Sequence, residues 1–395
     1  MRTKEIIGLS EQVQFPTYNR FPLALVRGRG VYVWDAEGNR YIDCVGSLGA
    51  AGLGHCHPRV TRAIAKQVRK LIHTTNLFYN ENQAKLGEQL TELSGMEKVF
   101  FCNSGAEANE AAFKLARKFA ITTKGPACYE ILSVTGSFHG RTLACIAASG
   151  QDKLKAGFGP QVEGFKSVAW NDLPAMERAI SDKTAAVILE PILGEGGVLI
   201  PDANYLKRVR ELCTTKGVLL ILDEVQVGIG RTGQLFAFQH SGILPDMLTL
   251  AKSLAGGVPI GAMLARGACA SALVAGDHAS TFGGSPLISA AGRAALDAIL
   301  KDGLIGNAHK MGNYFLNGLK ELKKRETHIH EVRGLGLILA AELDEPARPV
   351  ALKCIAKGLL VGLAQEKTLR FLPPLVITKK EIDRVLKILD EVLSS

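Results

Sequence analysis

The sequence has no apolar run of the roughly 18–20 residues that a membrane-spanning helix needs. Residues 1–20 are polar, with Glu5, Glu11 and Gln14 scattered through them. That stretch lacks the apolar core of a secretory signal and the Arg-rich amphipathic character of a transit peptide. The 8 cysteines (Cys44, Cys56, Cys102, Cys128, Cys145, Cys213, Cys269 and Cys354) include no CxxC pair. Zinc-type spacing is therefore missing and no metal is expected; free thiols in a reducing cytoplasm fit best. No GxxxxGK[ST] occurs, the strand-to-helix turn at Ser104–Gly105 is not GxGxxG, and there is no internal repeat or low-complexity block. Membrane, secreted, fibrous and disordered classes are excluded, and a cytoplasmic location is expected.

What is present is a chain of 395 residues, 47% apolar and 22% charged, long enough for two domains or one large α/β unit. Its 42 glycines, about a tenth of the chain, follow no collagen period and indicate many tight turns. Lys and Arg exceed Asp and Glu by 9. Such an excess suits nucleic acid, an anionic surface, an acidic partner or anionic metabolites, or solubility alone. No basic stretch is interleaved with aromatics, so no nucleic-acid partner is expected.

Residues 30–43 read as a β-hairpin turning at 35–39. Helical periodicity runs over 59–72 and 83–93. Short apolar runs then occur at 98–102, 130–135, 185–190, 218–223, 247–251 and 260–264, with helical stretches such as 106–120 and 205–216 between them. Buried runs separated by helices predict a largely parallel sheet covered on both faces, with its binding site at the carboxyl ends of the strands. After about residue 290 the pattern changes to two long helices (287–300 and 306–323), strands at 336–342 and 369–376, and a closing helix over 379–393. This predicts a smaller α+β domain, joined by the N-terminal hairpin. The expected division is 61–289 for the large domain and 1–60 with 290–395 for the small one.

Several strand ends carry candidate chemistry. In FCNSGAEAN a strand gives way to a helix start at Ser104, Gly105 and Ala106, where unpaired N–H groups suit a phosphate; a capping box between Ser104 and Glu107 is the plainer reading. In FHGRT, Phe138 can stack on a flat ring and Arg141 can grip a carboxylate, unless they are a core Phe and a surface Arg. His139 reads as structural. Asp223 and Glu224 end an apolar strand and point to opposite faces, so they are no acid–base dyad. Asp223 can pair with a cationic ring nitrogen; two solvated charges are the alternative. Lys252 ends another apolar strand in an uncharged stretch, where a Schiff base would relieve the burial of its charge; a snorkelling side chain is the alternative. Ser280 and Thr281 precede a glycine turn suited to an anion, or form an ordinary polar loop. Glu195 and Arg370 stand among small or apolar residues, and each by itself reads more readily as a surface residue.

The ordered set, with Lys252 placed 252 − 223 = 29 residues after Asp223, resembles a fold-type-I pyridoxal-phosphate enzyme. FCNSGAEANEAAFKLARK, FHGRT, EPILGEGG, LDEVQVGIGRTG, AKSLAGGVPIGA and STFGGSPL are similar to the class III aminotransferases, and among these to the acetylornithine group. The resemblance runs from about residue 28 to the C-terminus. It implies an α/β fold with a mostly parallel seven-stranded sheet and a smaller α+β domain. It implies pyridoxal 5'-phosphate held covalently by Lys252, which also moves the reaction's proton. Asp223 would face the ring nitrogen, Phe138 and Val225 the two ring faces, and Gln226 the ring hydroxyl. Ser104, Gly105 and Ala106 would hold the phosphate, completed by Thr281 of a second subunit, so a homodimer with shared sites is implied. Arg141 and Ser280 would contact the acetylated diamine. Arg370 would take the α-carboxylate of glutamate, with Glu195 as its partner when the other substrate binds. The implied reaction moves the distal amine of N2-acetyl-L-ornithine to 2-oxoglutarate. Ornithine, succinylornithine, 4-aminobutyrate and a carrier-bound lysine precursor are alternative donors, and a glutamate-semialdehyde aminomutase shares the fold. Leu193, Val227 and Ser285 depart from the usual glutamine, threonine and asparagine, and residues 46–52 depart from the usual loop; the last borders the substrate entrance.

Overall fold

In the computed structural model, which describes residues 1–394, helix α1 (Thr3–Val13) precedes strands β1 (Leu25–Arg29), β2 (Tyr32–Asp35) and β3 (Arg40–Asp43). The expected hairpin is β2–β3. Its turn closes because the Asp35 carboxylate accepts from the Glu37 and Asn39 N–H groups at 3.0 and 2.8 Å. Helix α2 (Pro58–Gln67) is shorter than the sequence periodicity predicts. Val68, Leu71 and Ile72 stay exposed, so no packing rewards another turn. Helix α3 (Glu81–Ser94) is capped by Asn80, whose side chain accepts from the Gln83 N–H, and ends at Gly95 in a left-handed conformation.

Seven strands then make the central sheet: β4 (Lys98–Cys102), β5 (Glu130–Val134), β6 (Phe165–Val168), β7 (Thr184–Leu189), β8 (Leu219–Asp223), β9 (Met247–Leu250) and β10 (Gly261–Ala265). Their order is β4-β10-β9-β8-β7-β5-β6. Pairing is parallel from β6 through β9, and β10 runs antiparallel to both its neighbours. Strands β5, β7, β9 and β10 are buried along their whole length, as expected when helices cover both faces. Helix α4 (Gly105–Lys124) lies on this sheet through a small-residue face, Ala108, Ala111, Ala112 and Ala116, which brings its backbone close to the strands. Strand β6, not foreseen, is an outer strand with Lys166 and Ser167 exposed. The fold is thus α/β, its central sheet seven-stranded and mostly parallel.

Helices Pro286–Lys301 and Leu304–Arg325 lead to β11 (Ile329–Leu335), β12 (Ile338–Leu343), β13 (Leu359–Leu360), β14 (Gly362–Ala364) and β15 (Thr368–Phe371), closed by helix Lys379–Leu393. Strands β11, β12, β15 and β14 form one antiparallel sheet. Strand β13 instead adds in parallel to β3, so the N-terminal hairpin is completed by the chain's last third. The Thr378–Glu381 capping box starts the closing helix, whose buried face is Ile382, Val385, Ile388, Leu389 and Val392.

Candidate active site

Most of the residues singled out in the sequence meet at the carboxyl ends of the central strands, in or beside a cavity of about 480 Å³. Ser104 ends the turn after β4 and caps α4: its Oγ accepts from the Glu107 N–H at 3.2 Å. The Glu107 carboxylate accepts not from Ser104 but from the N–H of Asn103, at 2.6 Å. The capping is real but shifted by one residue, and it leaves the Gly105 and Ala106 amides, which have no intrahelical acceptor, at the cavity wall. Gly105 has no room for a side chain, since a Cβ there would lie 2.6 Å from Val225 Cγ1. A helix N-terminus of this kind suits a phosphate by partial charge and by donor geometry.

Lys252 follows β9 with a φ of +46°, a left-handed conformation that costs a side-chain-bearing residue about 1–3 kcal/mol. It lines the cavity. Burial lowers the pKa of its amine, an effect opposed in part by the Glu195 carboxylate. An amine that loses its proton readily is a nucleophile towards a carbonyl. Phe138 and Val225 line the same cavity, and the Arg141 guanidinium lies over the Phe138 ring, 5.6 Å from its centre. Arg141 itself is exposed.

Asp223 and Glu224 are not solvated: they are 4% and 1% exposed. They diverge as alternation requires. Glu224 turns away and accepts the backbone N–H groups of Ala237 and Phe238 at 2.6 and 2.7 Å, and burial raises its pKa to about 8. Asp223 faces the cavity with Oδ2 held by Asn109 Nδ2 and His139 Nδ1, both at 2.8 Å, while its Oδ1 accepts from the Val225 N–H at 3.0 Å. Asn109 is fixed in turn by the Thr249 hydroxyl, which donates to its Oδ1 at 2.8 Å, and it donates to the His139 carbonyl at 2.7 Å. His139 is therefore structural in the sense expected, but its structural task is to hold Asp223.

Sequence reasoning passed over Asn109 and Glu190. Asn109 is 1% exposed on the alanine-rich face of α4, and a polar side chain on a buried stripe was the available signal. Glu190 follows the end of β7 directly, as Asp223 closes β8. It lines the cavity and accepts from the Phe138 and Gly194 N–H groups at 2.8 and 3.1 Å, and burial raises its pKa to about 7.

Arg370, on β15, is 1% exposed rather than a surface residue. Its Nη1 donates to Glu195 Oε1 at 2.7 Å, the Gly194 carbonyl at 3.1 Å and Gln226 Oε1 at 3.2 Å. Glu195 has a side chain 29% exposed. Burial pushes its pKa up, but the Arg370 charge and hydrogen bond prevail and hold it below the usual carboxylate range. The loop of residues 46–52 closes one side: Gly46, Ser47, Leu48 and Gly49 all have positive φ, Ala50 lines the cavity, and the Leu48 carbonyl accepts from Gln226 Nε2 at 3.3 Å. Leu193, Val227 and Ser285 are buried and do not line the cavity.

Ser280 and Thr281 are not brought to this cavity. Both line a separate cleft with Thr75, Asn76 and Tyr79, and Thr281 is exposed. One contact links the two regions, from Asn103 Nδ2 to Ser280 Oγ at 3.4 Å.

Comparison with known proteins adds three findings. The family described as aminotransferase class-III matches residues 14–393. The acetylornithine aminotransferase of Caldanaerobacter subterraneus subsp. tengcongensis is 50% identical, with 98% of this chain and 99% of that protein covered; that of Methanocaldococcus jannaschii is 46% identical, covering 100% and 99%. Among solved structures, ornithine aminotransferase from Toxoplasma gondii superposes with a TM-score of 0.97 at 35% identity, covering 100% of this chain and 95% of that one. Acetylornithine aminotransferase from Elizabethkingia anophelis gives 0.90 at 35% identity, covering 100% and 99%.

Proposed function

Because the chain belongs to the class-III aminotransferases, an enzyme family dependent on pyridoxal phosphate, we propose that it moves the distal amino group of N2-acetyl-L-ornithine to 2-oxoglutarate, giving N-acetylglutamate semialdehyde and L-glutamate, a step of arginine biosynthesis. The observation that carries this reading is the pairing of buried Arg370 with Glu195, which lines a cavity that also presents the exposed Arg141. Two cations of different accessibility suit two carboxylates that bind in turn. The acetylornithine aminotransferases at 46–50% identity over nearly their whole length support the same donor.

The residues present fit the cofactor: amides of Gly105 and Ala106 for a phosphate, a buried carboxylate for a ring nitrogen, an amine of lowered pKa for a carbonyl, and a wall too close for a side chain at Gly105. When bound, pyridoxal phosphate supplies a carbonyl for the amine and a ring that draws off electrons. Lys252 is the group that would hold it covalently, and its Nζ would be the base for the proton on the amine-bearing carbon of the donor. Asp223, oriented by Asn109 and His139, would keep a proton on the ring nitrogen. Gln226 would meet the ring hydroxyl, and Phe138 and Val225 would enclose the ring. Arg141 would bind the donor, with Ser280 reaching it, like Thr281, only from a second subunit, and Arg370 would bind the α-carboxylate of glutamate after Glu195 moves aside.

We further propose a cytoplasmic homodimer in which Thr281 of one subunit completes the phosphate site of the other, with domains at 61–289 and at 1–60 with 290–395. Leu77, Phe78 and Phe282 are 85%, 67% and 61% exposed beside the cleft that holds Ser280 and Thr281, apolar side chains of the kind an interface covers. Phe78→Asp is expected to weaken the dimer and cofactor retention together. An unchanged mass by light scattering would count against this interface.

Losing the Arg141 fork in Arg141→Ala should reduce kcat/KM for acetylornithine by the equivalent of ~1.5–3 kcal/mol, the range for hydrogen bonds to charged groups. Equal kcat/KM in the variant would refute that role. Free ornithine is the second reading, favoured by the 0.97 superposition on the Toxoplasma gondii enzyme. A carrier-bound donor would call for a basic rim, whereas the charged lining of the cavity is Arg141 and Lys252 against Glu190, Glu195 and Asp223. The deciding experiment mixes the purified holoenzyme with each candidate amine and follows loss of the bound cofactor's visible absorption. Faster conversion by any donor other than acetylornithine overturns the assignment. Restoration of the band by 2-oxoglutarate separates transamination from an aminomutase.

A further inference from the structure

The loop that carries Glu195 is tied through its main chain to the C-terminal antiparallel sheet at three points. Arg370 Nη1 donates to the Gly194 carbonyl at 3.1 Å, Gln365 Nε2 to the Glu195 carbonyl at 2.9 Å, and Arg333 Nε to the Gly197 carbonyl at 2.9 Å. Arg333 is itself braced by Glu331 and Glu342, at 2.7 and 2.6 Å. The tie at Gln365 stands apart. Gln365 lies in the exposed turn between β14 and β15 with a φ of +57°, a left-handed conformation that side-chain-bearing residues rarely adopt. Residues 364–367 contain neither glycine nor asparagine, although either would take that conformation more readily. Strain kept at a position where a cheaper residue would serve points to function when the strained residue reaches a site. Here the side chain reaches the main chain of the residue paired with Arg370.

We propose that Gln365 is a positioning residue for the exchange of substrates: it holds the backbone of Glu195 still, so that Glu195 leaves and returns to Arg370 by side-chain rotation while the loop stays in place. The inference rests on the reading that Arg370 exchanges Glu195 for a substrate carboxylate. The burial contrast agrees with it. Arg370 is enclosed and held by three acceptors, while the Glu195 side chain is 29% exposed and has room to turn. Its backbone carbonyl is fixed from the opposite chain segment, so the rotation starts and ends at a defined place. The acetylated donor, which needs Glu195 docked on Arg370, depends on that return. Glutamate, which displaces Glu195, depends on it less.

The test uses the holoenzyme with Gln365→Gly and Gln365→Asn. Both relieve the backbone, and both lose the reach to the Glu195 carbonyl. Single-turnover rates are measured separately with acetylornithine and with glutamate, beside the thermal midpoint. The expected result is an unchanged or raised midpoint, with the acetylornithine-to-glutamate ratio of kcat/KM lowered by about threefold or more, as the loss of one hydrogen bond allows. An unchanged ratio overturns the proposal, and so does an equal loss in both half-reactions accompanied by a lowered midpoint, the mark of a merely structural residue. Arg370→Met tests the underlying reading on its own: if the glutamate half-reaction survives intact in that variant, the exchange at Arg370 fails whatever Gln365 does.

Discussion

In Lys252→Ala the visible band of the covalently held cofactor disappears and transamination falls by about 10³–10⁴-fold or more. The estimate combines loss of the covalent link with loss of the general base, which by itself contributes ~10²–10⁴-fold. The structure gives two reasons to expect no substitute. Lys252 is the cavity's amine, since the other cationic side chains lining or bordering it, Arg141 and Arg370, are guanidiniums rather than primary amines. Its left-handed backbone also aims a side chain from the end of β9 in a way no neighbour copies. Exogenous small amines should restore part of the proton transfer. A variant that keeps its absorption band after dialysis would remove Lys252 from the mechanism.

Asp223→Ala should reduce kcat by about 10²–10⁴-fold, corresponding to the ~3–5 kcal/mol that removal of one member of a buried ion pair costs. Two donors, Asn109 Nδ2 and His139 Nδ1, converge on one oxygen of Asp223 and would be left without their acceptor. The loss therefore extends to the support as well as to the charge at the ring nitrogen. Asp223→Asn separates the two, keeping the shape and removing the charge. If Asp223→Asn retains wild-type turnover, Asp223 is a scaffold residue and not the partner of the ring.

How much of this was readable in the sequence differs by the kind of signal. Strands β4, β5, β7, β8, β9 and β10 were legible because each is a short apolar run buried by the helices beside it, and Lys98–Cys102 fell on its true bounds. Strand β6 escaped because the outermost position needs apolar residues on one face only, and Phe165 and Val168 make too little pattern. The cavity's charged residues were found where a strand end placed them, as at Asp223 and Lys252. Asn109 was hidden because its partners, His139, Asp223 and Thr249, are 30, 114 and 140 residues away, a distance only the folded sheet spans. Arg370 and Glu195 looked like surface residues for the same reason: each is held by the other and by Gln226, far away in sequence, and Arg370 is buried while Glu195 stays half-buried.

Helix α4 begins at Gly105, whose amide opens the turn proposed for the phosphate, and carries Asn109 four residues later, whose side chain grips Asp223. Four residues of α-helix rise about 6 Å. One rigid rod thus works as a gauge, setting the gap between the anchor proposed for one end of the cofactor and that proposed for the other. Inserting a single residue between Gly105 and Asn109 would turn the asparagine by about 100° off the sheet while leaving the first amides in place. Such a protein would still offer a seat to a phosphate, but would no longer measure what is attached to it.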